Sequence, residues 1–261
     1  MWLGSTPIDL TYRHIFAHRL LPQSSFAKAC TESEFYKIFN PISAHLEVKG
    51  LLAELSRAAQ NESLSQATRL TYDEREAVNR RVVWSRLLRS GPSVSGDDEA
   101  IPDLVSWVKA EKNSLIVKTS MGYGGQGVFV GSSFEDDASQ RRVRLLMGTD
   151  RCVSWRSFID FCLTSGLGQW IVQKKIKGRQ MKHMILSQGT VVEKSPFVDC
   201  SIYTRSGIDP KISGGACRFA MDDIVNIGQG GGLAPLLLES ELAATLRFRD
   251  HPHHVRYFPD E

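Results

Sequence analysis

What this chain lacks sets its first limits. No apolar run among its 261 residues approaches the roughly 18 that a membrane-crossing helix requires, so a helical span is excluded. The opening Met-Trp-Leu-Gly-Ser-Thr carries neither the charged nor the apolar region of a secretory signal. Cysteine is sparse: five residues, at 30, 152, 162, 200 and 217, with no C-x-x-C pair and an odd count. That excludes a disulfide framework and gives the expectation of reduced thiols in a cytoplasmic protein. An excess of charge of one sign is also missing. A net charge of +3 does not point to nucleic acid as a default partner. Internal repeats are absent. What remains, 42% hydrophobic and 23% charged residues, is ordinary for a soluble globular chain of one large or two small domains.

Hydrophobic spacing predicts helices first and strands later. Residues 8–16 read as a strand followed by a turn or short helix. "TESEFYKIF" opens on Thr31 with Glu34 three residues on, a capping-box pattern that predicts a helix ending at Asn40-Pro41. "SAHLEVKGLLAELSRAAQ" places Leu46, Leu51, Leu52 and Leu55 on one helical face. "TYDEREAVNRRVVWSRLLRS" predicts another helix, with Asp73 and Glu74 in its first turn and arginines towards its end, as the helix dipole favours. "GPSVSGDDEAIP" is polar and rich in turn residues, and reads as a loop or linker. Strands are expected beyond it, interrupted by one helix around 155–167. "RRVRLL" at 141–146 reads as a solvated face, and the His-Pro-His-His near the C-terminus as a flexible tail. The expected organisation is α+β: a mostly helical segment over 1–92, a loop or linker over 93–104, a β-rich region over 105–240 and a tail over 241–261.

Three stretches carry the chemistry. In "LIVKTSMGYGGQGVFVG" the glycines at 122, 124 and 127 satisfy the dinucleotide pattern G-x-G-x-x-G. That pattern needs a helix after the loop, to present its N-terminus to a pyrophosphate. Here Val128-Phe129-Val130 follows, another strand former, so the dinucleotide reading is rejected for a glycine hairpin. Its backbone can still approach phosphate oxygens, with Lys118 supplying charge. "WIVQKKIKG" is a strand ending in lysines, either a solvated edge or one wall of an anion site. In "GGACRFAMDDIVNIGQGGGL" two glycine clusters flank Arg218, Asp222, Asp223 and Asn226. Arginine suits phosphate or carboxylate, and Asp and Asn oxygens suit magnesium. No structural role needs all three of Gly230, Gly231 and Gly232, so a ligand close to the backbone is expected there.

The order and spacing of these stretches resemble the ATP-grasp ligases, and most closely the circularly permuted group typified by glutathionylspermidine synthase. "IDLTYRH", "NPISAHLEVKGLLAEL" and "YDEREAVNRRVVWSR" resemble N-terminal elements of that group, so the likeness covers most of residues 8–238. The resemblance implies two α+β subdomains holding ATP between mixed or antiparallel sheets. It gives Lys118 and Lys49 the ATP phosphates, and Gly122, Gly124, Gly125, Gln126 and Gly127 the lid over them. Gln173, Lys174 and the backbone through Ile176 would form the strand that reads adenine. Arg218 would stabilise the transferred phosphoryl group or acyl-phosphate, with Lys118 assisting. Asp9, Asn40 and Asn226 would hold Mg²⁺.

The implied activity is ATP- and Mg²⁺-dependent ligation of a carboxylate to an amine, in small-molecule or peptide natural-product biosynthesis. Phosphoryl transfer of this kind needs positioning and charge neutralisation more than a covalent nucleophile, which suits lysines, an arginine and glycine backbone. The chain departs from the family in places. Thr119-Ser120 replaces the usual proline after the lid lysine, and Ile38 and Ile224 stand where an acidic residue commonly precedes the metal asparagine by two positions. The chain also starts close to the Asp-x-x-Tyr-Arg element. A second reading follows: a nucleotide-binding pseudoenzyme, or an accessory subunit whose acceptor site comes from a partner or a second copy. An RNA-binding surface on the lysines of 174–182 is the third and poorest reading.

Overall fold

The computed structural model describes residues 2–13, 15–16, 19–20, 24–32, 37–39, 47–125, 127–187, 189–202, 215–222, 224–227 and 230–235. The chain divides into two compact units, residues 1–176 and 177–261. Both mix short helices or turns with antiparallel strands, so the α+β expectation holds.

The first unit opens with short pairings. β1 (Trp2–Leu3) runs antiparallel to β2 (Thr6–Pro7), and β3 (Thr11–Tyr12) runs parallel to β4 (Ile38–Phe39). Between them lies α1 (Ser25–Thr31), capped by Ser24, whose hydroxyl accepts from the Ala27 N–H at 3.0 Å. Thr31 therefore ends a helix where a helix start was expected. Ile38-Phe39 belongs to a strand, as a β-branched and aromatic pair favours.

Next come α2 (Gly50–Ala59), α3 (Glu62–Ala67) and α4 (Tyr72–Arg81). α2 buries Gly50, Ala53, Ser56, Ala58 and Ala59, while Leu52 is exposed. Its small-residue face does the packing, not the leucine face expected from periodicity. Thr71 and Glu74 cap α4 reciprocally, and its expected length is halved. Val82 turns extended after Arg81, and the residues beyond form β5 (Ser85–Leu87) in the main sheet. Two successive valines and a buried tryptophan gain more there than in a solvated helix.

The stretch expected to be a loop or linker is a loop: it joins the short hairpin strands β6 (Ser93–Val94) and β7 (Ala100–Ile101) inside the first unit and is not a linker between units. The break between units falls after Ile176 instead. α5 (Leu104–Ala110), β8 (Leu115–Thr119), β9 (Val128–Val130), α6 (Asp137–Met147), α7 (Trp155–Thr164) and β10 (Trp170–Lys174) complete this unit. The main sheet has the order β5-β10-β8-β9, all antiparallel. One of its faces carries Leu115, Val117, Phe129, Trp170 and Val172 into a core closed by α5, α6 and α7. Phe158 sits at its centre, with ring centroids of Phe129 at 4.6 Å, Phe134 at 5.3 Å and Trp170 at 5.8 Å. The Trp155 indole N–H donates to the Val108 carbonyl at 2.9 Å, which settles the one polar atom of that ring. α6 is only half solvated: Val143 is fully buried and Leu145 is exposed.

The second unit pairs β11 (His183–Ser187) with β12 (Thr190–Lys194), and builds a three-stranded sheet from β13 (Phe197–Ile202), β14 (Gly215–Ala220) and β15 (Gly232–Pro235) in that order. Its glycine run has a structural role at every position, contrary to the expectation. Gly230 has φ of +87°. A side chain on Gly231 would come within 2.6 Å of the Phe219 carbonyl oxygen, and one on Gly232 would collide with the Phe219 ring.

Candidate functional site

Alternate residues of a strand face opposite sides of its sheet. With Leu115, Val117, Trp170 and Val172 in the core, Ile116, Lys118, Ile171 and Gln173 share the other face. There Lys118 lies opposite Ile171, and Ile116 opposite Gln173. The Lys118 ammonium donates to the Gln173 side-chain oxygen at 2.5 Å, and the Gln173 amide nitrogen donates to the fully buried Ser85 hydroxyl at 3.0 Å. Serine on one side and lysine on the other fix the orientation of the Gln173 amide.

Beyond Lys118 the chain turns through the glycine loop into β9. The loop is a hairpin, with Lys118 paired to Val128 and the Thr119 N–H donating to the Gly127 carbonyl at 3.0 Å. Gly124 and Gly125 take φ of +63° and +76°, which glycine adopts freely. Gly122 and Gly127 close on the Thr119 hydroxyl, where any Cβ would overlap it. Gln126 lies outside the described residues. At the tip, the exposed Tyr123 ring meets Phe16 at 5.7 Å, with the Arg19 guanidinium 5.1 Å from its centroid.

Lys49 reaches the same hairpin from the start of α2. Its backbone N–H donates to the Ser120 carbonyl at 2.9 Å, and the Gly50 N–H to the Ser120 hydroxyl at 3.1 Å. A side chain at Gly50 would sit 2.9 Å from that hydroxyl, so glycine lets α2 approach the end of β8. From there the Lys49 ammonium donates to the Gly122 carbonyl. Both lysines are half-buried, and neither forms an ion pair with a described residue. Burial holds both amines below the ordinary lysine range, and the positive charge of Lys49 depresses Lys118 further. Two cations thus share one partly desolvated place beside a glycine hairpin.

The other expected site residues stand elsewhere. Lys174 projects from the opposite side of β10 to Gln173 and pairs with Asp97 at 3.0 Å. Together with the exposed Ile176 it lines a cavity of about 600 Å³, walled also by Gln60, Asn79, Arg81 and Trp84. Asp9 is exposed, and Asn40 lies outside the described residues. In the second unit, Arg218 is ion-paired to Asp199, its direct partner across β13 and β14. The Asn226 carbonyl accepts from the Gly231 N–H at 3.1 Å. Among the described residues no three His, Cys, Asp or Glu side chains gather as a metal site.

Three contributors were given no site role in the sequence: Ser85, Thr119 and Ser120. The available signal was hydroxyls embedded in apolar runs, as in "VVWSRLL" and "LIVKTS". No protein-family model matches the chain, and no curated protein is a significant match to it.

Proposed function

We propose that the chain binds the phosphates of ATP on the lysine-bearing face of its main sheet and acts as an ATP-grasp carboxylate–amine ligase. The observation that carries this reading is the Lys49–Lys118 pair. Two like charges taken partly out of water destabilise one another, and a polyphosphate relieves both costs at once. A glycine hairpin beside them allows backbone to close on phosphate oxygens.

In the proposed reaction a carboxylate oxygen attacks the γ-phosphorus and ADP departs, leaving an acyl-phosphate. The amine nitrogen then attacks the carbonyl carbon, loses a proton and expels phosphate. Lys118, oriented by Gln173, and Lys49 neutralise the charge that builds on the phosphates. No step is assigned to Mg²⁺; Asp9, Asn40 and Asn226 keep only the role implied by the likeness.

The test is ADP formation from ATP in the presence of mixed carboxylates and amines. The ligase reading expects ADP and phosphate only when both are present, with a large loss in Lys118→Ala. ATP binding without ADP for any pair would replace it with the nucleotide-binding accessory reading.

A further inference from the structure

From the second unit we infer that Cys200 and Cys217 are a cross-strand dithiol that closes reversibly to a disulfide, taking a small disulfide such as oxidised glutathione as its oxidant. The two residues are direct partners in the β13–β14 register. Their sulfurs are 3.2 Å apart, within thiol–thiol hydrogen-bond distance. Direct antiparallel partners have Cα atoms about 4.5–5.5 Å apart, inside the window of about 4.4–6.8 Å that a disulfide spans. Closure therefore needs side-chain rotation and little backbone movement.

Access and contrast point the same way. Cys200 is exposed and Cys217 half-buried, so a solution oxidant meets Cys200 first. Cys162 is buried, and burial pushes its thiol far up, which leaves it inert. Cys152 is exposed, yet no other thiol is hydrogen-bonded to it among the described residues. The hydrogen bond to Cys200 pushes the Cys217 thiol up, so Cys217 keeps its proton until the second step. The pleat sends Asp199 and Arg218 to the opposite face from the two thiols.

The chemistry balances as thiol–disulfide exchange. The Cys200 thiolate attacks one sulfur of oxidised glutathione, breaking its S–S bond and releasing one glutathione thiolate. Cys217 then gives up its proton, attacks the Cys200 sulfur of the mixed disulfide and expels the second. One S–S bond breaks and one forms, and two protons pass from protein thiols to glutathione. The new bond ties β13 to β14 one rung from Arg218, so oxidation also fixes the pairing that holds Arg218 on Asp199.

The experiment incubates the full chain in glutathione buffers from fully reduced to fully oxidised, quenches exchange with acid, alkylates the remaining thiols after denaturation near neutral pH and maps tryptic peptides. The expected product is peptide 195–205 cross-linked to peptide 212–218, with alkylatable thiols falling from five to three. Cys200→Ser abolishes that cross-link. At a fixed glutathione ratio its yield in the native chain should exceed that in urea by about tenfold, because the fold supplies the local concentration. Both cysteines alkylated at the oxidised end, separate glutathione adducts on each, a cross-link between chains, or equal yield in urea would each overturn it.

Discussion

The main sheet of the first unit shows two chemistries on the same strands. On one face Leu115, Val117, Phe129, Trp170 and Val172 disappear into an aromatic-rich core. On the other, one residue along in each strand, Lys118 and Gln173 meet Ser85, and the charge of Lys49 is felt by Lys118. The backbone register is common to both, so the difference lies in side chains alone. The core face gains from water exclusion; the lysine face loses from it, because its charges are desolvated without a carboxylate in exchange. A face held at a cost in stability is where a ligand has most to offer.

The largest effect should come from breaking the core face. Phe158→Ala removes the ring at the centre of the aromatic cluster and should cost about 3–5 kcal/mol, read as a lowered denaturant midpoint with an unchanged slope. A loss below about 1 kcal/mol would mean the cluster is looser than its ring contacts indicate. At the boundary between the faces, Gly127→Ala drives a methyl into the Thr119 hydroxyl. It should cost about 1–3 kcal/mol in thermal unfolding, and Thr119→Ala in the same chain should restore part of that. If the double variant is no better than the single one, the overlap is not the cause.

The smallest effect sharpens the contrast through pH. Both lysines have folded-state pKa values below the ordinary lysine range, so between those values and the ordinary one the unfolded chain binds more protons than the folded one. Stability should therefore rise with pH across that alkaline window. Lys118→Met should flatten the rise, and denaturant curves at stepped pH compare the two chains. An identical slope in both would show that Lys118 keeps its normal affinity for protons.

Much of this was legible in the sequence, for physical reasons that differ by element. The strand–glycine–strand hairpin was readable because β-branched residues flank glycines with no helix former after them. β10 was readable from its apolar run, and Lys118 from its place at the end of a strand. The extent of α4 was not, because Val82 to Leu88 keep a helical spacing that only a neighbouring strand overrides. The glycines at 230–232 were misread because their packing against Phe219 and Asn226 is tertiary. Lys49 and Lys118 are far apart in sequence, and only the approach of α2 through Gly50 and Ser120 puts them at one hairpin. Spacing could nominate each lysine, but not their mutual repulsion.

The most direct test of the lysine face is calorimetry of ATP binding, with and without Mg²⁺, to the native chain and to Lys118→Ala. The account predicts binding to the native chain and an affinity weaker by about ten- to hundredfold in the variant, the value of a charge-assisted hydrogen bond. Equal affinity in both chains, or no ATP binding by the native chain, would contradict it.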